Sequence, residues 1–261
     1  MAANLQLMVF TDLDGTLIDH DTYDWRAAKP ALAALRRLGA GLILSSSKTA
    51  AEIAPLRAEI DQPQWPGIVE NGAGLLPPHD AAAHDAAQYT AIREALQNLP
   101  DDLAGLFHGF GDCTPEEVAE MTGLPLKSAM LAKHRAFSEP GQWRGNRAQK
   151  TAFLAHLKTQ GISAQQGGRF LTLSFGGNKA DQMRAITAQY KPQHTIALGD
   201  APNDVQMLEA ADTGVVIANP HRPPLPELRG EAAGRIIRTK AAGPLGWNEA
   251  ILSLINRLEL N

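Results

Sequence analysis

Residues 5–11, LQLMVFT, form an apolar run of strand length with little alternation, the pattern of a strand buried on both faces. Alanines and leucines at helical spacing follow over 27–39, with Gly39 as the stop. GLILSSS, 41–47, predicts a second buried strand that ends in hydroxyls. Thr49 with Glu52 three residues later is a capping-box pattern, so a helix is expected over 49–60, with Pro55 placed to kink it. GIVENGAG, 67–74, predicts a third strand and a turn. The polar, alanine-rich stretch 77–88 reads as a boundary. Beyond it the spacing predicts helices at 88–99, 115–122 and 125–133, a strand at 134–139, a helix at 147–160 and a strand at 168–175. Helix 179–190, strand 194–200, helix 202–211 and strand 213–219 restore the first alternation, and a terminal helix is expected over 247–258.

Strands alternating with helices imply a parallel sheet with right-handed crossovers. The expected fold is therefore α/β, a doubly wound, Rossmann-like core made of residues 1–80 and 179–261. An α+β unit, 81–178, is inserted into it. In such sheets ligands bind outside the carboxyl ends of the strands. Those ends are polar here: Asp12 and Asp14, Ser45–Ser47, Glu70 and Asn71, then Asp200.

Composition narrows the classes. Of 261 residues, 44% are hydrophobic and 20% charged, enough for a substantial core. A formal net charge of −4 offers no nucleic-acid footprint or polybasic membrane surface. Cys113 is the only cysteine, with no base partner evident, so no disulfide forms within the chain, as expected of a cytoplasmic protein. No apolar stretch approaches membrane-spanning length, and the first residues lack a basic leader pattern.

The aspartates carry the chemistry. In DLDGT, 12–16, a carboxylate at a strand end suits attack on phosphorus, forming an aspartyl-phosphate, and a second carboxylate two residues on suits proton transfer. Gly15 and Thr16 permit the tight turn that brings backbone amides to phosphate oxygens. GDAPND, 199–204, adds another acidic strand end, and carboxylates this dense beside a phosphate call for a hard cation such as Mg2+. Ser46 and Lys179 are candidates to hold phosphate oxygens. His20 reads as a loop-bracing surface histidine, and His79 and His84 as inert boundary residues.

DLDGT, the hydroxyl-ended second strand, a later lysine and GDAPND stand in the order of the haloacid dehalogenase superfamily phosphatases, and the insert resembles the cap of their Cof-like branch. TDLDGTLIDHDTYDW, LSSSKTAAEI, IVENGAG, FSEP, GGRF and GPLGW together resemble the mannosyl-3-phosphoglycerate phosphatases. The resemblance implies Asp12 as nucleophile and Asp14 as acid/base. It implies Mg2+ on Asp12, the Asp14 carbonyl and Asp200, with Asn203 and Asp204 supporting that shell. It places Ser46 and Lys179 on phosphate, and Lys48, Glu70, Asn71 and Arg169 toward the substrate. The implied reaction converts 2-O-mannosyl-3-phosphoglycerate to mannosylglycerate, a compatible solute, and phosphate. The pattern departs at Thr172, where relatives often carry histidine, and at Gly141, where an aromatic residue is common. Both lie in the insert, so they bear on the sugar and leave phosphate chemistry untouched. Glucosyl-3-phosphoglycerate or another small sugar phosphate is the alternative substrate. A phosphomutase or a non-catalytic binding protein on the same fold is a more distant alternative.

Overall fold

β1 is Leu7–Thr11, and all five of its residues are buried. In this computed structural model, which describes residues 5–83, 85–167 and 169–260, Leu7 and Val9 enter one apolar cluster while Met8 and Phe10 enter another on the opposite face. That two-sided burial is why the run is apolar throughout. His84 and Gly168 lie outside the described residues. α1, Lys29–Arg37, buries Ala31, Leu32, Ala34 and Leu35 as one stripe. β2, Gly41–Leu44, pairs parallel with β1. α2, Ala50–Glu59, opens with the expected box: Thr49 Oγ1 accepts from Glu52 N at 3.2 Å and Glu52 Oε2 accepts from Thr49 N at 2.8 Å. The helix runs through Pro55 without a break.

β3, Gly67–Val69, departs from the expected third strand of the parallel sheet. It meets the end of β2 through a single parallel bridge, Ser45 to Ile68, and otherwise pairs antiparallel with β4, Gly74–Leu76. The cause is local. Glu70 and Asn71 both adopt left-handed backbone, at φ +49° and +61°, and turn the chain back on itself.

The intervening segment contains α3 (Ala87–Gln97), β5 (Phe107–Gly109), α4 (Pro115–Thr122), α5 (Leu126–Ala132), β6 (Ser138–Trp143), α6 (Arg147–Thr159), β7 (Ser163–Gly167) and β8 (Phe170–Ser174). Its four strands form a separate antiparallel sheet in the order β5-β6-β8-β7. Ile92 of α3, Phe153 and Leu157 of α6 and Leu171 and Leu173 of β8 share one apolar cluster. β6 starts four residues later than its pattern predicts, because the amides of Ala136 and Phe137 donate to the Glu70 carboxylate instead of to a strand.

The chain then returns through α7 (Lys179–Tyr190), β9 (His194–Gly199), α8 (Val205–Ala210), β10 (Thr213–Ala218), β11 (Ile236–Ala242) and α9 (Gly243–Arg257). The main sheet is parallel throughout, in the order β11-β10-β9-β1-β2. α1 and α9 pack on one face, α7 and α8 on the other, which is the doubly wound arrangement. Among the described residues no helix is long and apolar enough to cross a membrane.

Candidate active site

β1 and β9 run side by side with Thr11 opposite Leu198, and Asp12 N donates to Leu198 O at 2.9 Å. The chain therefore leaves both strands at the same level, bringing Asp12 beside Asp200. Asp204, one turn further on, completes a buried triangle whose nearest carboxylate oxygens lie within 4.8 Å of one another. Lys179, the first residue of α7, reaches into it from the insert's return point. Its Nζ is 2.5 Å from Asp12 Oδ1 and 2.7 Å from Asp204 Oδ1.

Three buried carboxylates face one ammonium. Burial and the nearby Asp204 charge push Asp12 up to about 8, against the pull of Lys179. Burial also works against the Lys179 cation, but Asp12 and Asp204 outweigh it and hold the ammonium above the ordinary lysine range. Asp200 is raised by burial, with an opposing hydrogen bond from Asn219. Surplus negative charge on converging oxygen donors is what a hard divalent cation requires, so these residues fit Mg2+.

Each carboxylate is held. Thr16 Oγ1 donates to Asp200 Oδ1 at 2.9 Å, Asn219 Nδ2 to Asp200 Oδ2 at 2.8 Å, and Arg222 Nε lies 3.2 Å from the same oxygen. Asp204 Oδ2 accepts the amides of Asp200 (3.1 Å) and Ala201 (3.0 Å), so Asp204 braces its own turn while its other oxygen orients Lys179. Gly15 has φ +82°, and a Cβ there would stand 2.5 Å from Asn219 Nδ2, so glycine is required by both backbone and space. Beneath Asp12, Trp247 Nε1 donates to Thr11 Oγ1 at 2.9 Å, and Thr11 Oγ1 donates to Asp12 O at 2.8 Å.

Asp14 faces a cleft of about 580 Å³ between the two sheets. Lys48 Nζ is 3.1 Å from Asp14 Oδ1 and 5.2 Å from the centre of the Tyr23 ring. Burial opposes the Lys48 charge, but Asp14 and Glu52 outweigh it and raise its pKa. Ser46 is buried at the end of β2 and accepts from Lys48 N at 3.3 Å.

A profile of the haloacid dehalogenase-like hydrolases matches residues 145–223. Over nearly the whole chain, the glucosyl-3-phosphoglycerate/mannosyl-3-phosphoglycerate phosphatase of Methanococcoides burtonii is 34% identical across 269 aligned positions, covering 96% of this chain and 97% of that protein. The chain belongs to the mannosyl-3-phosphoglycerate phosphatase family of haloacid dehalogenase-like hydrolases. It is a phosphoric monoester hydrolase. At the level of fold it is similar to a Thermotoga maritima protein (TM-score 0.67, 15% identity, 95% and 97% of the two chains). It is also similar to the sucrose-phosphatase of Synechocystis solved with sucrose and phosphate (TM-score 0.60, 15% identity, 98% of each chain).

Not every expected substrate contact of this phosphatase reaches the cleft. Glu70 is buried, and its oxygens accept from Ala136 N, Phe137 N, Ser138 Oγ and Arg135 Nε. It ties the turn after β3 to the insert and stands apart from the carboxylate triangle. Arg169 lies exposed on the insert, its Nη2 donating to Thr122 O at 2.9 Å and its guanidinium over the Phe170 ring. Asn71 does line the cleft, donating to Gln165 Oε1 at 3.2 Å and accepting from Asn203 Nδ2 at 2.9 Å. Three contributors escaped the sequence reading: Arg135 and Arg222, which line the cleft, and Asn219 on Asp200. Asn219 carried a usable signal, since it follows the last residue of a parallel strand, where ligand-side residues collect.

Proposed function

We propose that this phosphatase hydrolyses a glycosyl-3-phosphoglycerate, with the mannosyl compound as favoured substrate and the glucosyl compound as the alternative. The observation that carries the chemistry is the Asp12–Lys179 contact inside the buried carboxylate triangle at the strand ends. The sugar acid is supported by the M. burtonii relative's name. A cleft of about 580 Å³ lined by Lys48, Arg135 and Arg222 also suits a small ligand bearing a phosphate and a carboxylate. The cytoplasm is the proposed compartment, in keeping with the lone, reduced Cys113.

In this reading Asp12 attacks phosphorus as a carboxylate, and the ester P–O bond breaks as an aspartyl-phosphate forms. Asp14 gives its proton to the leaving glycerate oxygen, then takes one from the water that opens the acyl phosphate. Ser46 and Lys179 hold the transferring oxygens, and Lys48 orients Asp14. Asp12, the Asp14 backbone carbonyl and Asp200 would hold Mg2+, which supplies charge neutralisation and alignment of the phosphate. Asp204 and Asn203 keep that carboxylate set in place. Residues 81–178 act as a cap on a core of 1–80 and 179–261.

Phosphate release in the presence of Mg2+ should be measured on mannosyl- and glucosyl-3-phosphoglycerate, free 3-phosphoglycerate, hexose phosphates and an aryl phosphate. Strong preference for a glycosyl-3-phosphoglycerate is the expected result. Equal, weak turnover of every compound would remove the sugar-acid assignment and leave the phosphatase.

A further inference from the structure

His20, Asp21 and His221 meet on the surface where the loop after β1 touches the loop after β10, and no step of the proposed reaction uses them. The two imidazole rings stack with centroids 4.4 Å apart and planes inclined by 24°. His221 Nε2 lies 3.4 Å from Asp21 Oδ2. One ligand atom from each of the three residues falls within 4.8 Å of the other two. Two imidazoles and one carboxylate are the donor set of borderline transition-metal dications; Mg2+ favours oxygen alone.

Both arms are braced. Asp19 Oδ1 accepts from Asp21 N (3.2 Å), Thr22 N (2.9 Å) and Thr22 Oγ1 (2.8 Å), which fixes the turn carrying His20 and Asp21. On the other side Asn219 Oδ1 accepts from His221 N at 2.9 Å, and Pro220, Pro223 and Pro224 restrict the backbone around it. Little backbone entropy is left to lose on binding. Both residues are exposed, so turning the two nitrogens toward one ion disturbs only the stacking of the rings on each other among the ring contacts of the described residues.

We propose that His20, Asp21 and His221 form a peripheral site for a transition-metal dication of the Zn2+ class, with water completing its shell. The ion clips two loops that are 200 residues apart in sequence. Asn219 links the clip to the catalytic carboxylates, because its amide holds His221 with one end and Asp200 with the other.

The test uses the full-length phosphatase with excess Mg2+, which occupies the oxygen-only carboxylate triangle. Cu2+ serves as the spectroscopic probe, read by electron paramagnetic resonance, and Zn2+ as the probe for calorimetry and thermal unfolding. One Cu2+ with two nitrogen ligands is expected. Loss of supporting residues alone weakens metal sites by about 10–100-fold, so His20→Gln and His221→Gln should each weaken Zn2+ by at least about tenfold and remove one nitrogen coupling. Zn2+ should raise the Tm of the wild type and leave the double variant unmoved. Turnover with Mg2+ alone should be the same in wild type and the single variants. Absence of a two-nitrogen Cu2+ signal in the wild type, or equal Zn2+ binding by wild type and double variant, would overturn the site. Binding lost in only one of the single variants would overturn its two-histidine composition.

Discussion

Asp12 is surrounded by more negative charge than Lys179 can cancel, and this has a measurable consequence. A carboxyl raised to about 8, from an ordinary value near 3.8, holds a proton at neutral pH while the site is free of metal. Binding Mg2+ must expel that proton. Calorimetry in buffers of different ionisation enthalpy should show proton release on Mg2+ binding below about pH 8, and apparent affinity should climb with pH and level off above it. The sign for stability is the reverse of the usual aspartate. The folded, metal-free protein binds a proton that the unfolded chain has lost, so this contribution is present below the ordinary aspartate range and fades as pH rises through about 8. Asp12→Asn removes the proposed nucleophile and the surplus charge together. Phosphate release should fall by more than about 10⁴-fold while the Tm of the metal-free protein at alkaline pH holds or rises; a variant with appreciable turnover would show that another group attacks. These residues were legible because each ends a predicted strand or opens a predicted helix. Asn219 ends the predicted strand 213–219 and carried the same signal, whereas Arg222 carried none, since it stands beyond that strand and only the loop after β10 brings it to Asp200.

Among elements, the best-read ones carry their own local signal. α2 announces itself through Thr49 and Glu52, and Thr49→Ala should cost about 1 kcal/mol in urea unfolding. β7 (SAQQG) is mostly exposed and, among the described residues, pairs only with β8, so it has no apolar period to read. β6 contains Pro140 and Gly141, which disguise a strand that lies between two others. β11 is an edge strand with one buried residue, Ile236, after which half-buried positions alternate with exposed ones, Arg238 and Lys240 among them, and its pairing with β10 is what makes it a strand. Glu70 shows how far a tertiary contact can redirect an element. Its carboxylate takes two amides that a strand would have used, and its pair with Arg135 is buried on both sides. Glu70→Ala leaves both amides without their acceptor and the buried guanidinium without its counter-charge, with Ser138 O and Oγ among its remaining acceptors. Breaking a buried pair costs about 3–5 kcal/mol, so the loss of stability should be several times that of Thr49→Ala. Equal losses in the two variants would mean that Arg135 and the amides find water.

Across the whole molecule, the two sheets meet along a cleft and are joined by two crossings, residues 77–86 and 175–178. The contacts between them are unequal. The Glu70–Arg135 cluster is buried, whereas the Asn71–Gln165 hydrogen bond across the cleft is exposed and easily exchanged for water. Movement that admits substrate should therefore keep the buried cluster and break the exposed bond, with the second crossing absorbing the rotation. Gly176 and Gly177 sit in that crossing at φ +96° and +88°, and the nearest atom to a Cβ built on Gly176 is Ser163 Oγ at 3.9 Å. Space is open at Gly176, so Gly176→Ala acts through backbone conformation, whereas Gly176→Pro also removes the amide that donates to Ser174 Oγ at 3.3 Å. Gly176→Ala strains the positive φ by about 1–2 kcal/mol, and Gly176→Pro forbids it. Both variants should keep the helical circular dichroism of the wild type, and kcat and KM should change together, more for proline than for alanine. Full turnover in a folded Gly176→Pro variant would place the flexing point elsewhere, with 77–86 the remaining crossing. A fall in kcat at unchanged KM would point to a displaced Lys179, three residues downstream of the substitution, and not to restricted opening.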